Sequence, residues 1–253
     1  MDAYPKRVEV MGVPIDPYTI SQTVERTRSF IESGSFAHLV GVNADKILQM
    51  RDDPRMDAIV RRCEIVNADG ASMVMAAKRF GVWVPERVPR IDLMYQLLDL
   101  AQREGYGVYL LGAKPEVLEA ASSRIRRAYP CLSIVGMRDG YFPYEEYDQV
   151  AQDVSDSGAD IVLVGITSPK KEALIERFRD LGMRGAYVGV GGSFDVASGL
   201  IPRAPLWMQR MGLEWVFRMI KEPRRLFKRY MIGNVRFMKL LHAEAKHEKR
   251  ARR

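Results

Sequence analysis

The sequence predicts an α/β protein with a Rossmann-like, mostly parallel sheet and helices on both of its faces. Between residues 8 and 195, short β-rich runs alternate with amphipathic stretches, which is typical of that architecture. Several of the runs are apolar throughout, as expected of strands that are buried on both faces. After Gly199 the alternation stops, and the rest of the chain has a helical pattern.

The elements follow from these patterns in chain order. The predicted strands are VEVMGV (8–13), AHLVGVN (37–43), CEIVNAD (63–69), GVYLLGA (107–113), LSIVGMRDG (132–140), DIVLVGI (160–166) and GAYVGVGG (185–192). The predicted helices between them cover 19–33, 71–80, 91–104, 115–128, 145–157 and 169–182. Beyond them, Pro205 and Pro223 suit the first residue of a helix and Gly233 suits a helix end, which predicts helices over 204–221, 223–232 and 234–250. We therefore expect a core domain at 1–197 and an appendage at 198–253.

Composition limits the class of protein. The 253 residues are 47% hydrophobic, which suits one compact domain with an appendage. No run reaches the roughly 18 to 20 apolar residues that cross a bilayer, and the start MDAYPKRVEV lacks a signal-peptide pattern, so a cytoplasmic protein is expected. Cys63 and Cys131 lie far apart, which indicates neither a disulfide framework nor a zinc site.

Charge is distributed unevenly along the chain. Residues 198–253 hold 15 Lys and Arg against 4 Glu and no Asp, whereas the rest of the chain is mildly acidic. This asymmetry predicts that the appendage meets a polyanion: anionic lipid, a nucleic acid or a phosphorylated substrate. In the second predicted helix of the appendage, Arg225 and Arg229 are like charges four residues apart, which repel without an anion nearby. With Phe227 and Tyr230 they fit a membrane interface, although a solvated basic face is the alternative.

Ligands of an open parallel sheet bind outside the carboxyl ends of the strands. Here those ends read VNADK (42–46), NADGAS (67–72), GAKP (112–115), RDGYF (138–142), GITSPKKE (165–172) and GVGGSFD (189–195). They make Asn43, Gly112 and Gly191 candidate substrate-binding residues, because glycine lets backbone approach a ligand closely. GVGGSFD is not the dinucleotide fingerprint and follows the last strand, which weakens an NAD-binding interpretation.

Two carboxylates stand out at these strand ends. Asp69 could accept the proton of a substrate hydroxyl, or it could cap the helix that begins near Ala71. Asp195 could bind a ribose hydroxyl or cap the helix that follows it. The sequence contains no Asp-x-Asp pair for a divalent metal, so arginines would have to neutralise a leaving diphosphate.

The motifs together resemble the WecG/TagA/CpsF glycosyltransferase family (glycosyltransferase family 26). The resemblance runs from VEVMGVPID (8–16) through NADGAS, ERVPRIDL (86–93), LLGAKP, GYF and SPKKE to GVGGSFDVASGLIPRAPLWMQRMGLEW and EPRRLFKRY. It implies an inverting, metal-independent enzyme without a cofactor. Such an enzyme transfers a sugar, of the N-acetylmannosamine type or another hexose, from a UDP donor to an undecaprenyl-diphosphate-linked acceptor in cell-surface polysaccharide or teichoic acid assembly. The resemblance also implies peripheral association with the inner face of the bacterial membrane, and self-association that competes with membrane docking.

Roles carried over from the family fall on individual positions. Asp69 corresponds to the general base, Arg87 lies near the donor, Gly140 and Tyr141 lie near the uracil, and Asp195 lies in the nucleotide pocket. The cationic residues that close over the diphosphate correspond to Arg218, Arg225 and Lys228, where Lys replaces the family's arginine and its fork of donors. Phe227, Arg229 and Tyr230 are expected to meet the membrane.

Three departures from the family pattern concern the sugars. Gly41 stands where Thr is typical, Pro89 and Arg90 where Thr-Gly is typical, and Lys171 where Gln is typical. The added charges of Arg90 and Lys171 suggest, as a hypothesis, an acidic sugar or a differently charged acceptor. The rival interpretations are a nucleotide-dependent oxidoreductase and a nucleic-acid-binding module, and the second lacks any recognised reading motif.

Overall fold

The chain folds around a parallel sheet in a computed structural model, which describes residues 4–221 and 223–251; within these ranges the side chains at 224–226, 228–230 and 248–251 lie outside the description. The strands are β1 (Val8–Val10), β2 (Val13–Ile15), β3 (Phe36–Val42), β4 (Ile65–Ala68), β5 (Val108–Gly112), β6 (Ile134–Arg138), β7 (Ile161–Gly165) and β8 (Gly185–Gly189). Six of them form the sheet in the order β4–β3–β8–β7–β5–β6, with every neighbouring pair parallel.

The helices lie on both faces of this sheet, as the sequence predicts. They are α1 (Ile20–Glu32), α2 (Ala44–Asp52), α3 (Pro54–Arg62), α4 (Ala71–Arg79), α5 (Arg90–Glu104), α6 (Pro115–Ala128), α7 (Tyr147–Asp156), α8 (Lys170–Asp180), α9 (Ser193–Ala197), α10 (Leu206–Arg210), α11 (Glu214–Lys221) and α12 (Pro223–Ala251). One face packs against α1, α5, α6 and α9. The other packs against α2, α3 and α4 at one side and α7 and α8 at the other.

The first predicted strand is wrong as a single element. Residues 8–13 do not join the large sheet; β1 and β2 form an antiparallel hairpin of their own. Met11 and Gly12 make the turn with φ of 53° and 68°, the left-handed backbone that tight hairpins need. Alternating apolar residues on both sides of the turn give the same pattern as one continuous strand, so periodicity alone misses the reversal.

Two helices, α2 and α3, lie where no helix was predicted. Asn43 accepts a hydrogen bond from the Lys46 N–H and so caps α2. Asp53 caps α3 through the Arg55 N–H, and Pro54 is its first residue. Both starts follow the common rules for helix caps. Only residues 42–46 of this stretch were predicted as a strand-end loop, and residues 47–62 had no predicted element.

The C-terminal segment differs from the prediction in two places. A turn at Gly212, with φ of 70°, separates α10 from α11, so 204–221 is not one helix. Gly233 does not end a helix, because α12 continues through it to Ala251. Beyond it, Phe237 and Leu241 are buried in the core beside α2. The domain division at residue 198 stays a prediction. Of the residues described, no helix is long and apolar enough to span a bilayer.

Candidate active site

Asp69 lies at the carboxyl end of β4, directly after the last residue of that strand. Its main-chain N–H donates to the Val42 carbonyl at 2.9 Å, which ties it to the end of the neighbouring strand β3. Its side chain does not cap α4, whose N-cap is Gly70 and has no side-chain hydrogen bond. The carboxylate instead accepts the main-chain N–H of Arg90, the first residue of α5, at 3.2 Å. The capping alternative at Ala71 is therefore wrong.

Asn43 holds the other oxygen of the same carboxylate. Its Nδ2 donates to Asp69 Oδ2 at 3.4 Å, while its Oδ1 accepts the Lys46 N–H that caps α2. Because the Asn43 side chain is held by the cap of α2, its amide nitrogen is fixed in position toward the Asp69 carboxylate. Ser72 closes this corner by accepting the Ala44 N–H at 3.0 Å. The structure therefore brings two of the predicted site residues, Asn43 and Asp69, together at the ends of β3 and β4.

Arg90 is buried beside this carboxylate. Its Nη2 donates to the Val40 carbonyl at 3.2 Å and to Asn67 Oδ1 at 3.1 Å, and both acceptors are neutral. Burial lowers the pKa of Arg90 from its ordinary value, and the charge of Asp69 acts in the opposite direction. The guanidinium lies over Gly41, where a side chain would occupy the same space.

The turn between α10 and α11 packs against the start of α4, two residues after Asp69. A Cβ at Gly212 would lie 2.6 Å from Ala71 Cβ, in the first turn of α4. Arg87 fixes the same segment from the other side: its Nη1 donates to Glu214 Oε2 at 2.5 Å and its Nη2 to the Gln209 carbonyl at 3.4 Å. Arg87, predicted near the donor, is thus bound to the start of α11. Glu214 lies in the GLEW stretch (212–215) and was not predicted as a site residue.

Arg218 lies one turn after Glu214 on α11 and reaches the glycine-rich loop after β8. A Cβ at Gly192 would lie 3.5 Å from Arg218 Nη1 and 3.1 Å from Asp195 Oδ2. Both predicted site residues therefore face the same backbone. Asp195 does not cap the following helix, because it lies inside the first turn of α9, whose N-cap is Gly192. Gly191, in the same loop, has φ of 54°, and a Cβ there would meet nothing within 4 Å.

The predicted uracil residues gather at the ends of β5 and β7. A Cβ at Gly140 would lie 3.1 Å from Gly112 Cα, and one at Gly112 would lie 2.5 Å from the Gly165 carbonyl carbon. Gly112 has φ of 125°, which other residues rarely adopt. Tyr141 follows with its ring 70% exposed. These glycines bring three backbone segments into contact and leave one aromatic ring free beside them.

Lys171 belongs to a buried charge cluster on the opposite face of the sheet. Its side chain packs on Gly189, where a Cβ would lie 2.7 Å from Lys171 Cε. Its Nζ is 3.2 Å from Glu172 Oε1, and the same oxygen accepts from Lys46 Nζ at 2.7 Å. Burial alone would raise the pKa of Glu172, but the two lysines and a hydrogen bond from Ser168 hold it at about 2. Neither Lys46 nor Glu172 was predicted as a site residue, because partners 126 residues apart leave no local signal in the sequence.

The remaining candidates lie on α12. The side chains of Arg225, Lys228, Arg229 and Tyr230 lie outside the described part of the chain. Phe227 is 56% exposed. These five assignments remain predictions, as do the roles of the other candidate residues.

A protein-family model gives the class of the molecule. The model described as the glycosyl transferase WecG/TagA/CpsF family matches residues 8–251. The chain belongs to this family. The match confirms the resemblance inferred from the motifs, and it gives this glycosyltransferase its class: the protein moves a sugar from a donor to an acceptor. The oxidoreductase and nucleic-acid-binding interpretations lose their basis, because the match covers nearly the whole chain.

Proposed function

We propose that this glycosyltransferase moves a sugar, N-acetylmannosamine or another hexose, from a UDP-sugar to the sugar of a polyprenyl-diphosphate-linked acceptor, with inversion and without a metal ion. The observation that carries the proposal is the Asp69 carboxylate at the carboxyl edge of the sheet. It is oriented by Asn43 on one oxygen and by the start of α5 on the other. A general base must lie at the edge of the sheet where ligands bind. Its carboxylate must also be held in a fixed orientation, which hydrogen-bond donors on each oxygen provide.

The proposed reaction transfers the sugar in one step at this edge of the sheet. Asp69 accepts the proton of the acceptor hydroxyl, whose oxygen then bonds to the anomeric carbon of the donor sugar. The bond between that carbon and the β-phosphate oxygen breaks, and UDP leaves with the electron pair. Because attack and departure occur on opposite faces of the carbon, the configuration inverts.

The leaving diphosphate requires positive charge on the donor side. Arg218 next to the Gly192 backbone is the described residue best placed for it, with an arginine fork that fits two phosphate oxygens. Arg87 supports it indirectly, because its ion pair with Glu214 fixes the helix that carries Arg218. Arg225 and Lys228 follow on α12 and are expected to join at the diphosphate.

The acceptor carries a lipid, and exposed apolar side chains next to the site suit an anionic membrane surface. Leu206, Trp207 and Met211 protrude from the α10 segment, and Phe227 and Met231 from α12, all largely exposed. The basic composition of 198–253 adds attraction for anionic headgroups. We therefore place the enzyme at the inner face of the bacterial membrane.

A screen of UDP-sugars tests the reaction directly. UDP release is measured with a short-chain polyprenyl-diphosphate-sugar acceptor for wild type, Asp69→Asn and the exposed control Asp156→Asn. Loss of release in Asp69→Asn, with UDP binding and melting temperature retained, is expected. Full activity of Asp69→Asn would refute the base, and a thermal shift with NAD but none with UDP would refute the donor class.

Vesicle sedimentation tests the membrane surface. The full chain is mixed with vesicles of phosphatidylglycerol and phosphatidylcholine, or of phosphatidylcholine alone. Trp207→Ala and Phe227→Ala are expected to weaken binding to the anionic vesicles, whereas Leu181→Ala, an exposed leucine after α8, leaves it unchanged. Equal binding by all three variants would contradict the proposed surface.

A further inference from the structure

We propose that Arg90, interlocked with Gly41, is a positioning residue that keeps the Asp69 carboxylate aimed at the acceptor hydroxyl. The inference rests on the proposed role of Asp69 as general base. It assigns to one side chain and one glycine a function that family membership does not give them.

The geometry joins the three residues at one point. A Cβ at Gly41 would lie 2.3 Å from Arg90 Nε, 2.9 Å from Arg90 Cζ and 2.8 Å from Asp69 Cβ. The guanidinium and the carboxylate-bearing side chain therefore meet in the space over Gly41. The main chain of the same arginine donates its N–H to Asp69 Oδ1. Arg90 thus holds Asp69 through its backbone N–H, and its guanidinium lies on the same side of Gly41 as the Asp69 Cβ.

Among the described residues, no carboxylate forms a hydrogen bond with the Arg90 side chain. Nη2 donates to the Val40 carbonyl and to Asn67, whose own Nδ2 donates to Thr23, while Nε and Nη1 have no hydrogen-bond partner in this part of the chain. A buried cation without a counter-charge is strongly destabilised. Two titratable groups act on it, Asp69 and the Cys63 thiol, and burial raises the pKa of Cys63 well above its usual value, so the thiol is neutral. Asp69 is left as the compensating charge.

This arrangement suits a base that must be aimed in the same direction at every turnover. The buried guanidinium attracts the carboxylate-bearing side chain across the space over Gly41, while the first N–H of α5 holds Asp69 Oδ1. The cation itself stays fixed because it is buried and its Nη2 is held by two acceptors.

Gly41 is the counterpart that makes room for this side chain. A Cβ at position 41 would lie 2.3 Å from Arg90 Nε, which is closer than Cβ atoms come to other atoms in real structures. Either the new side chain or the arginine must therefore move. The displaced guanidinium would leave the Val40 carbonyl and Asn67. Position 41 and position 90 therefore constrain each other, and a change at one should be tolerated better when the other changes with it.

The experiment compares Arg90→Met, Arg90→Lys, Gly41→Ala and the double variant Gly41→Ala/Arg90→Gly with wild type. Steady-state UDP release gives kcat and KM for the donor, titration gives UDP affinity, and thermal unfolding reports the fold. For Arg90→Met we expect kcat to fall about 10- to 100-fold, the range for a misplaced reacting group, with donor KM and UDP affinity within threefold of wild type. Arg90→Lys, which keeps a cation near the position of Nε, should recover most of the rate.

Several results would overturn the inference. They are wild-type kcat in Arg90→Met, equal losses in Arg90→Met and Arg90→Lys, or a donor KM that rises as much as kcat falls. The interlock is tested without turnover: Gly41→Ala should melt lower than the double variant Gly41→Ala/Arg90→Gly. The reverse order would refute the interlock even if Arg90→Met and Arg90→Lys fail to fold. A wild-type enzyme that binds UDP but transfers to no acceptor would instead contradict the proposed function.

Discussion

Replacing Glu172 by Gln removes a buried carboxylate that faces two lysines. Glu172 is fully buried in α8 and accepts from Lys46 Nζ at 2.7 Å, with Lys171 Nζ at 3.2 Å. Gln keeps the size and the ability to accept a hydrogen bond, but it leaves the two ammonium groups without their counter-charge. We expect the free energy of unfolding to fall, because breaking a buried ion pair strands the partner charge.

The pKa gives the size and the pH dependence of this effect. The pKa of Glu172 falls from 4.5 to about 2 on folding. At 1.36 kcal/mol per unit, the ionised side chain contributes about 3 kcal/mol at pH 7. Because the folded pKa is depressed, the contribution is complete above the unfolded pKa and disappears as the pH falls through the folded one. The difference between wild type and Glu172→Gln should therefore be smaller at pH 3.5 than at pH 7, by about 1 kcal/mol.

Urea unfolding followed by circular dichroism at pH 7 and pH 3.5 measures both quantities. Other carboxylates titrate in both proteins and cancel in the difference. Glu119→Gln, an exposed substitution on α6, serves as the control and should change stability by less than about 0.5 kcal/mol at either pH. A Glu172→Gln difference below about 1 kcal/mol, or one that does not change with pH, would refute the assignment of the charge to this cluster.

Three further substitutions test the C-terminal segment. Phe237→Ala empties a buried position between α12 and the core and should cost about 3 kcal/mol in urea unfolding, whereas the half-exposed Met238→Ala beside it costs little; equal effects would contradict the packing. Gly233→Ala should raise the melting temperature, because a Cβ there meets nothing within 4 Å and alanine gains about 0.5–1 kcal/mol in a helix; a decrease would contradict a continuous α12. Glu214→Gln should cost about 1–2 kcal/mol by leaving Arg87 without its carboxylate, and unchanged thermal unfolding would contradict the ion pair.

Most of the sheet could be predicted from local pattern. The six strands of the parallel sheet are found where apolar runs predict them. Strands that are buried on both faces consist of continuous apolar residues, and this pattern can be recognised without any alternation with polar residues. The hairpin at residues 8–15 could not be separated from a strand by alternation, and only the pair Met11 and Gly12 carries the turn. The continuity of α12 through Gly233 also escapes a local rule, since the buried Phe237 and Leu241 anchor the helix beyond the glycine.

The site was predicted less completely, for a physical reason. Sequence motifs indicate residues such as Asp69 and Asn43, which follow strands directly and whose backbones are placed by the sheet. They do not indicate partners that arrive from distant segments, such as Glu214 against Arg87 or Lys46 against Glu172. The departure at Gly41 also gains its meaning only in three dimensions, because the side chain that fills its space comes from position 90.

The α10–α11 turn would connect the proposed lipid surface to the proposed base. Gly212 packs against Ala71, two residues after Asp69, and the exposed Trp207 and Met211 belong to the same segment. A polyprenyl acceptor keeps its diphosphate in the headgroup plane, and only its sugar can extend toward the protein. An apolar surface far from Asp69 would force that sugar to leave the headgroup plane. One carried by the segment that packs against α4 would instead present the hydroxyl of the proposed acceptor to Asp69, the proposed base. Loss of vesicle binding in Trp207→Ala should therefore be accompanied by a rise in the KM for a long-chain acceptor, with the KM for a short-chain acceptor unchanged.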